Sequence, residues 1–168
     1  PHQRAGVEFL VRAKQAILAD DMGLGKSRTA FTAILEHYKK GVDVFPTLIV
    51  CPNSTKMGWA REVEEVWPGL EVVVVGGSAA QRKKQLATSA HVYIMNWESM
   101  PSHSRLESYG SIAFKKCLEC GGKDPKIKET KCQVHDKELN LMDFKSVIAD
   151  EVHRIKTPDS QQTRAFKY

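Results

Sequence analysis

The chain is predicted to be α/β, built on a doubly wound, mostly parallel sheet, and three observations carry that prediction. A Gly-rich loop at residues 20–27 stands between a short apolar run and a helical stretch. Further apolar runs of strand length recur at residues 48–51, 72–75, 92–95 and 147–149, continuous rather than alternating and rich in β-branched side chains. Such runs, separated by helical stretches, are what a parallel sheet covered on both faces produces. An acidic pair, Asp150 and Glu151, follows the last run directly.

Taken in order, residues 16–19 (Ala-Ile-Leu-Ala) read as a buried strand that feeds the loop Asp-Asp-Met-Gly-Leu-Gly-Lys-Ser. A helix follows over residues 27–38, carrying Ala30, Phe31, Ala33, Ile34 and Tyr38 toward a core and stopping at Lys39-Lys40-Gly41. After the strand at 48–51, Trp59, Val63, Val66 and Trp67 fall at helical spacing, ended by Pro68-Gly69. Residues 78–90 form another helix between the next two strands. The last segment begins with Thr157 as N-cap and Pro158 at the first helical position.

Strand, loop, helix is the order of a phosphate-binding loop. Small residues let successive N–H groups turn inward, a Lys reaches the outer phosphates and a hydroxyl reaches Mg²⁺; Gly23, Gly25, Lys26 and Ser27 supply these. The general pattern wants Gly at the first position, where this chain has Asp20. Asp150, at the end of another strand, is placed to hold Mg²⁺, and Glu151 to orient an attacking water. Together the motifs point to a nucleoside triphosphatase. A guanine-specific switch is disfavoured, because Thr55-Lys56-Met57-Gly58 lacks the Asp that reads guanine.

These residues resemble the first RecA-like motor lobe of the Swi/Snf family of DNA-dependent ATPases, within the superfamily 2 helicases. That family's loop is typically Asp-Glu-Met-Gly-Leu-Gly-Lys-Thr, so Asp20 becomes a match, with Asp21 and Ser27 as mild departures. Pro1-His2-Gln3-Arg4-Ala5-Gly6-Val7 is similar to the family's Pro-Tyr-Gln-x-x-Gly segment, and residues 150–156, Asp-Glu-Val-His-Arg-Ile-Lys, to its Asp-Glu-Ala-His-Arg-Ile-Lys-Asn. Residues 48–54 with Trp59-Ala60-Arg61-Glu62, and Asn96-Trp97-Glu98, look like strand-end motifs that face DNA in the family. The resemblance implies ATP held by Gln3 at adenine and by Met22, Gly23, Leu24, Gly25, Lys26 and Ser27. It further implies Mg²⁺ held by Ser27 and Asp150, catalysis through Lys26, Asp150 and Glu151, and double-stranded DNA as partner. A second RecA-like lobe would supply the opposite wall of the cleft, so residues 1–168 read as the N-terminal lobe of a longer motor, nearly inactive alone. A strand-separating helicase fits the same residues, as does a non-catalytic interaction module on a P-loop fold.

Residues 102–142 are expected to be an insertion. They hold Cys117 and Cys120 as one CxxC knuckle, followed by Gly121, and Cys132 and His135 as a CxxH knuckle. That spacing suits a tetrahedral structural Zn²⁺, with His103 a spare ligand; a chance cluster and a redox pair are the other readings. Lys115, Lys116, Lys123, Lys126, Lys128 and Lys131 alternate with Glu119, Asp124 and Glu129, which fits a DNA-contacting module and equally a solvated loop. At 168 residues, 42% hydrophobic and 27% charged, the chain has a globular composition with no apolar stretch of membrane-spanning length. Its first residues lack a secretory layout. The expected setting is intracellular: a bacterial or phage-infected cytoplasm, or the nucleus. Net charge +5 is compatible with a polyanionic partner.

Overall fold

The computed structural model describes residues 2–13, 15–21, 23–106 and 136–168. Among them, strands β1 (Thr47–Cys51), β2 (Val72–Val74), β3 (Val92–Asn96) and β4 (Ser146–Ala149) form one sheet of order β2-β3-β1-β4. Every pairing is parallel, with Ile49 of β1 opposite Ile94 of β3 on one side and Ile148 of β4 on the other. All of β1 is buried. The reason for its unbroken apolar run is visible in the packing: Leu48 and Val50 join Tyr93, Met95 and Trp97 on one face, while Ile49 and Cys51 join Val92 and Ile94 on the other. Since successive side chains alternate in direction, only a sheet covered on both sides requires apolar residues at every position.

Helices α2 (Lys26–Lys39) and α3 (Lys56–Val66) cover the Ile49 face through Phe31, Trp59 and Val63. The Leu48 face is covered by α4 (Ala79–Leu86), α5 (Glu138–Leu141) and α6 (Gln161–Lys167), which contribute Leu86, Leu139 and Ala165. Helix α1 (His2–Arg12), over the segment read only by its resemblance, packs on α2. Ser78 caps α4 in a reciprocal box with Gln81, so this helix starts where expected but ends at Leu86.

Two expectations are corrected. Residues 16–19 do not join the sheet: Ile17 is 74% exposed, and β4 is left as an edge with Val147 48% exposed. Two of those four residues are Ala, a weak strand former, and two aspartates follow them, so the segment has little to bury on either face. Residues 16–20 and 147–150 nevertheless line the same cleft of about 1720 Å³. The last helix is capped by Ser160, not Thr157. The Ser160 hydroxyl accepts from the Thr163 N–H at 3.2 Å, while the Thr157 carbonyl accepts from the Thr163 hydroxyl at 2.7 Å, which keeps Thr157 in the preceding turn.

The ends of the expected insertion converge. Arg105 Nη1 pairs with Asp136 Oδ1 at 3.1 Å, the Leu139 N–H donates to the His103 carbonyl at 3.0 Å, and Leu106 and Leu139 enter the core. His103, the spare zinc ligand, is engaged at both ring nitrogens: Nε2 accepts from Arg82 Nε at 3.0 Å and Nδ1 lies 3.0 Å from Glu138 Oε2. With His103 buried, that network gives its ring a structural task at the neck of the insertion. Cys117, Cys120, Cys132 and His135 lie outside the described residues. Among those that are described, no cluster of His, Cys, Asp and Glu could hold a metal, and no helix is long and apolar enough to cross a membrane.

Candidate functional site

The carboxyl ends of β1, β3 and β4 open on one edge of the sheet, where open parallel sheets bind their ligands. The Gly-rich loop shares a cleft with the end of β4. Gly23 and Gly25 both take positive φ, 83° and 77°, a region that side-chain-bearing residues rarely enter. Gly25 is the N-cap of α2, and no side chain caps it. The first-turn N–H groups of α2 are thus left for an outside acceptor, at the positive end of the helix dipole. Gln3, reaching over from α1, donates Nε2 to the Leu24 carbonyl at 3.1 Å; a Cβ at Gly25 would collide with that amide. Met22 lies outside the described residues.

Lys26 does not project from the loop. Its ammonium donates to the carbonyls of Asp20 at 2.7 Å and Asp21 at 2.9 Å, tying the end of the loop to its start. Asp20, Lys26, Ser27, Asp150, Glu151 and His153 nonetheless line one cleft. The sequence-predicted phosphate and metal groups, more than a hundred residues apart along the chain, are therefore brought to a shared space. Glu151 sits at a left-handed position, φ 55° and ψ 48°, directly before a 3₁₀ turn over Val152–Ile155. A non-Gly residue held there costs on the order of 1–3 kcal/mol and bends the chain sharply after the strand. Its Oε2 lies 3.1 Å from His153 Nδ1.

Asp150 is fixed on several sides. Its N–H donates to the Val50 carbonyl at 2.8 Å, its carbonyl accepts from Trp97 Nε1 at 2.9 Å, and its Oδ2 accepts from Trp59 Nε1 at 2.9 Å. The sequence reading treated both tryptophans by apolar periodicity or motif position and missed these contacts. One signal was available: a buried indole N–H needs an acceptor. The loop after β3 is tied to the same place, since Asn96 donates to Glu98 Oε2 at 2.8 Å and Arg154 Nη1 reaches Glu98 Oε1 at 2.6 Å. The Asn96 hydrogen bond, with Arg154 beside it, holds the Glu98 carboxyl below its ordinary range, so it stays charged and keeps the two loops joined. Cys51 is core, as expected; burial pushes its thiol up to about 11 and leaves it protonated.

The site's donors suit a magnesium–nucleotide complex. A single strand-end carboxylate and a loop hydroxyl beside uncapped helix N–H groups match the sparse protein ligation that Mg²⁺ takes when phosphates complete its shell. A family model described as the SNF2-related domain matches residues 2–168. The chain belongs to the SNF2-related domain family. This SNF2-related domain is 36% identical over 135 residues to a Caenorhabditis elegans SWI/SNF-related matrix-associated actin-dependent regulator of chromatin subfamily A-like protein 1 homolog, covering 78% of the chain and 19% of that protein. It is 31% identical over 170 residues to human chromodomain-helicase-DNA-binding protein 7, covering 99% of the chain and 5% of the relative. In fold it is similar to the Sulfolobus solfataricus SWI2/SNF2 ATPase core solved in complex with dsDNA, with a TM-score of 0.68 at 21% identity over 99% of the domain and 29% of that chain. The SNF2-related domain thus spans a fifth or less of the length of these curated relatives.

Proposed function

We propose that this domain is the ATP-binding lobe of a motor that hydrolyses ATP and moves on double-stranded DNA. The observation that supports it most is that Lys26 and Ser27 from the loop line one cleft with Asp150 and Glu151 from the end of β4. In this reading Gln3 contacts adenine, while Gly23, Leu24 and Gly25 offer backbone N–H groups to phosphate and Met22 completes the loop. Lys26 leaves the Asp20 and Asp21 carbonyls for the outer phosphates. Ser27 and Asp150 hold Mg²⁺, which when bound draws charge from the phosphate oxygens. Glu151 orients the attacking water and takes up its proton. A second RecA-like lobe closes the cleft and stabilises charge that this lobe leaves exposed.

Hydrolysis by the full-length protein is expected to rise on adding duplex DNA and to rise far less on adding single strands. The 168-residue chain alone is expected to turn over almost none. Equal stimulation by single strands, with separation of a forked duplex, would favour the strand-separating helicase; vigorous DNA-stimulated turnover by the isolated chain would remove the need for a second lobe.

We also propose that Cys117, Cys120, Cys132 and His135 bind one structural Zn²⁺ that organises an insertion of roughly forty residues, too poor in large apolar groups to build its own core. Chelation should raise hydrogen exchange between residues 115 and 137 and leave the sheet protected. Protein purified without chelator is expected to carry one zinc per chain, and Cys117→Ser to lose it. Metal-free protein with the same exchange profile in both forms would reduce the spacing to coincidence.

A further inference from the structure

We propose that Trp59 is a positioning residue for Asp150, turning one carboxylate oxygen into the wall and presenting the other to the cleft. The inference rests on the reading of Asp150 as the group that faces nucleotide-borne Mg²⁺. Its basis is a grip from both faces of the sheet. Trp59 belongs to the cluster around Ile49 and Trp97 to the cluster around Leu48, and they are 3% and 0% exposed. Both indoles nevertheless converge on Asp150, one at Oδ2 and one at the backbone carbonyl, each at 2.9 Å. With the Asp150 N–H also held by Val50, the atom left over is Oδ1, which has no protein partner among the described residues.

An indole N–H donates and cannot accept, so Trp59 can satisfy only a lone pair of Asp150. Its ring is packed between α3 and the sheet, so the donor does not follow the carboxylate if that group rotates. A carboxylate that has lost this donor swings between orientations, and the one productive for the metal becomes a fraction of the total. The bond restrains geometry while Oδ1 keeps the metal-facing charge. A buried indole merely seeking an acceptor would produce the same contact, so the test must read the metal and not the fold.

The measurement is the Mg²⁺ concentration that half-supports binding of a fluorescent ADP analogue to the full-length protein. Replacing Trp59 by 3-benzothienylalanine keeps the shape and puts sulfur where the N–H was. The Mg²⁺ midpoint should rise about tenfold, the scale of one hydrogen bond to a charged group, and the thermal midpoint should fall only modestly, as for a single lost hydrogen bond. Trp59→Phe should move it the same way, whereas Trp67→Phe, which removes an indole from the Tyr38–Phe45 cluster, should not. Asp150→Asn separates the two layers of the reading. If it raises the midpoint and the benzothienyl variant does not, Trp59 is only a packed ring and the inference is overturned. If Asp150→Asn itself leaves the midpoint in place, the metal role of Asp150 fails and the inference falls with it.

Discussion

Glu151→Gln in the full-length protein is expected to lower DNA-stimulated ATP hydrolysis by roughly a thousandfold, the scale of a lost general base, while nucleotide affinity stays within about twofold. Gln keeps the length and hydrogen-bonding oxygen of Glu and has the same Cβ, so the left-handed backbone at this position is no more strained in the variant. What it cannot do is take a proton from water. The side chain is 41% exposed and its neighbour at 3.1 Å is the exposed His153, so the substitution should leave the fold alone. Single-turnover hydrolysis beside equilibrium nucleotide binding separates the two quantities. A residual rate within tenfold of the unmodified protein would falsify the assignment of Glu151 as base.

Lys26→Ala should weaken nucleotide binding by about a hundredfold or more, the loss expected from two charge-assisted hydrogen bonds of roughly 1.5–3 kcal/mol each, partly offset by water. This lysine has a second role: its two bonds to the Asp20 and Asp21 carbonyls are lost too, so the variant loop should be looser. Those bonds are exposed, and global stability should change little. Lys26→Arg is not expected to rescue, because a planar fork does not reproduce a compact ammonium in a tight loop. Titration calorimetry giving the unmodified affinity for Lys26→Ala would show that the phosphates sit elsewhere.

The sheet was legible because burial on two faces writes itself into sequence: Leu48–Cys51 of β1 and Val92–Met95 of β3 are buried at every position, so the apolar runs coincide with the strands to within a residue or two. The loop and the acidic pair were legible because phosphate and metal chemistry restrict residue type as strongly as packing does. Residues 16–19 misled because four apolar residues cannot declare by themselves whether a neighbour will accept them as a strand. Ser160 was passed over because the reading weighed Thr157-Pro158-Asp159, whereas the cap is chosen by which hydroxyl can reach the N–H of Thr163. The Trp59 contact spans 91 residues and the Trp97 contact 53, and one-sequence periodicity carries no information at that range. It identifies a ring as buried and is silent on where its single polar atom points.

The neck formed by Arg105, Asp136, His103 and Leu139 bears on how this fold tolerates change. Because residues 105 and 136 are already in contact, the stretch between them begins and ends at one place on the lobe, as a side branch does on a stem. Its length is nearly a free variable: doubling such a loop adds only about 0.6 kcal/mol to the entropy of closing it. Sequence could be grown, trimmed or exchanged there while the sheet and the nucleotide motifs are untouched, provided the residues at the junction persist. Evolution of new contacts on this SNF2-related domain would then need no redesign of its sheet, only a new graft at a junction that is already closed.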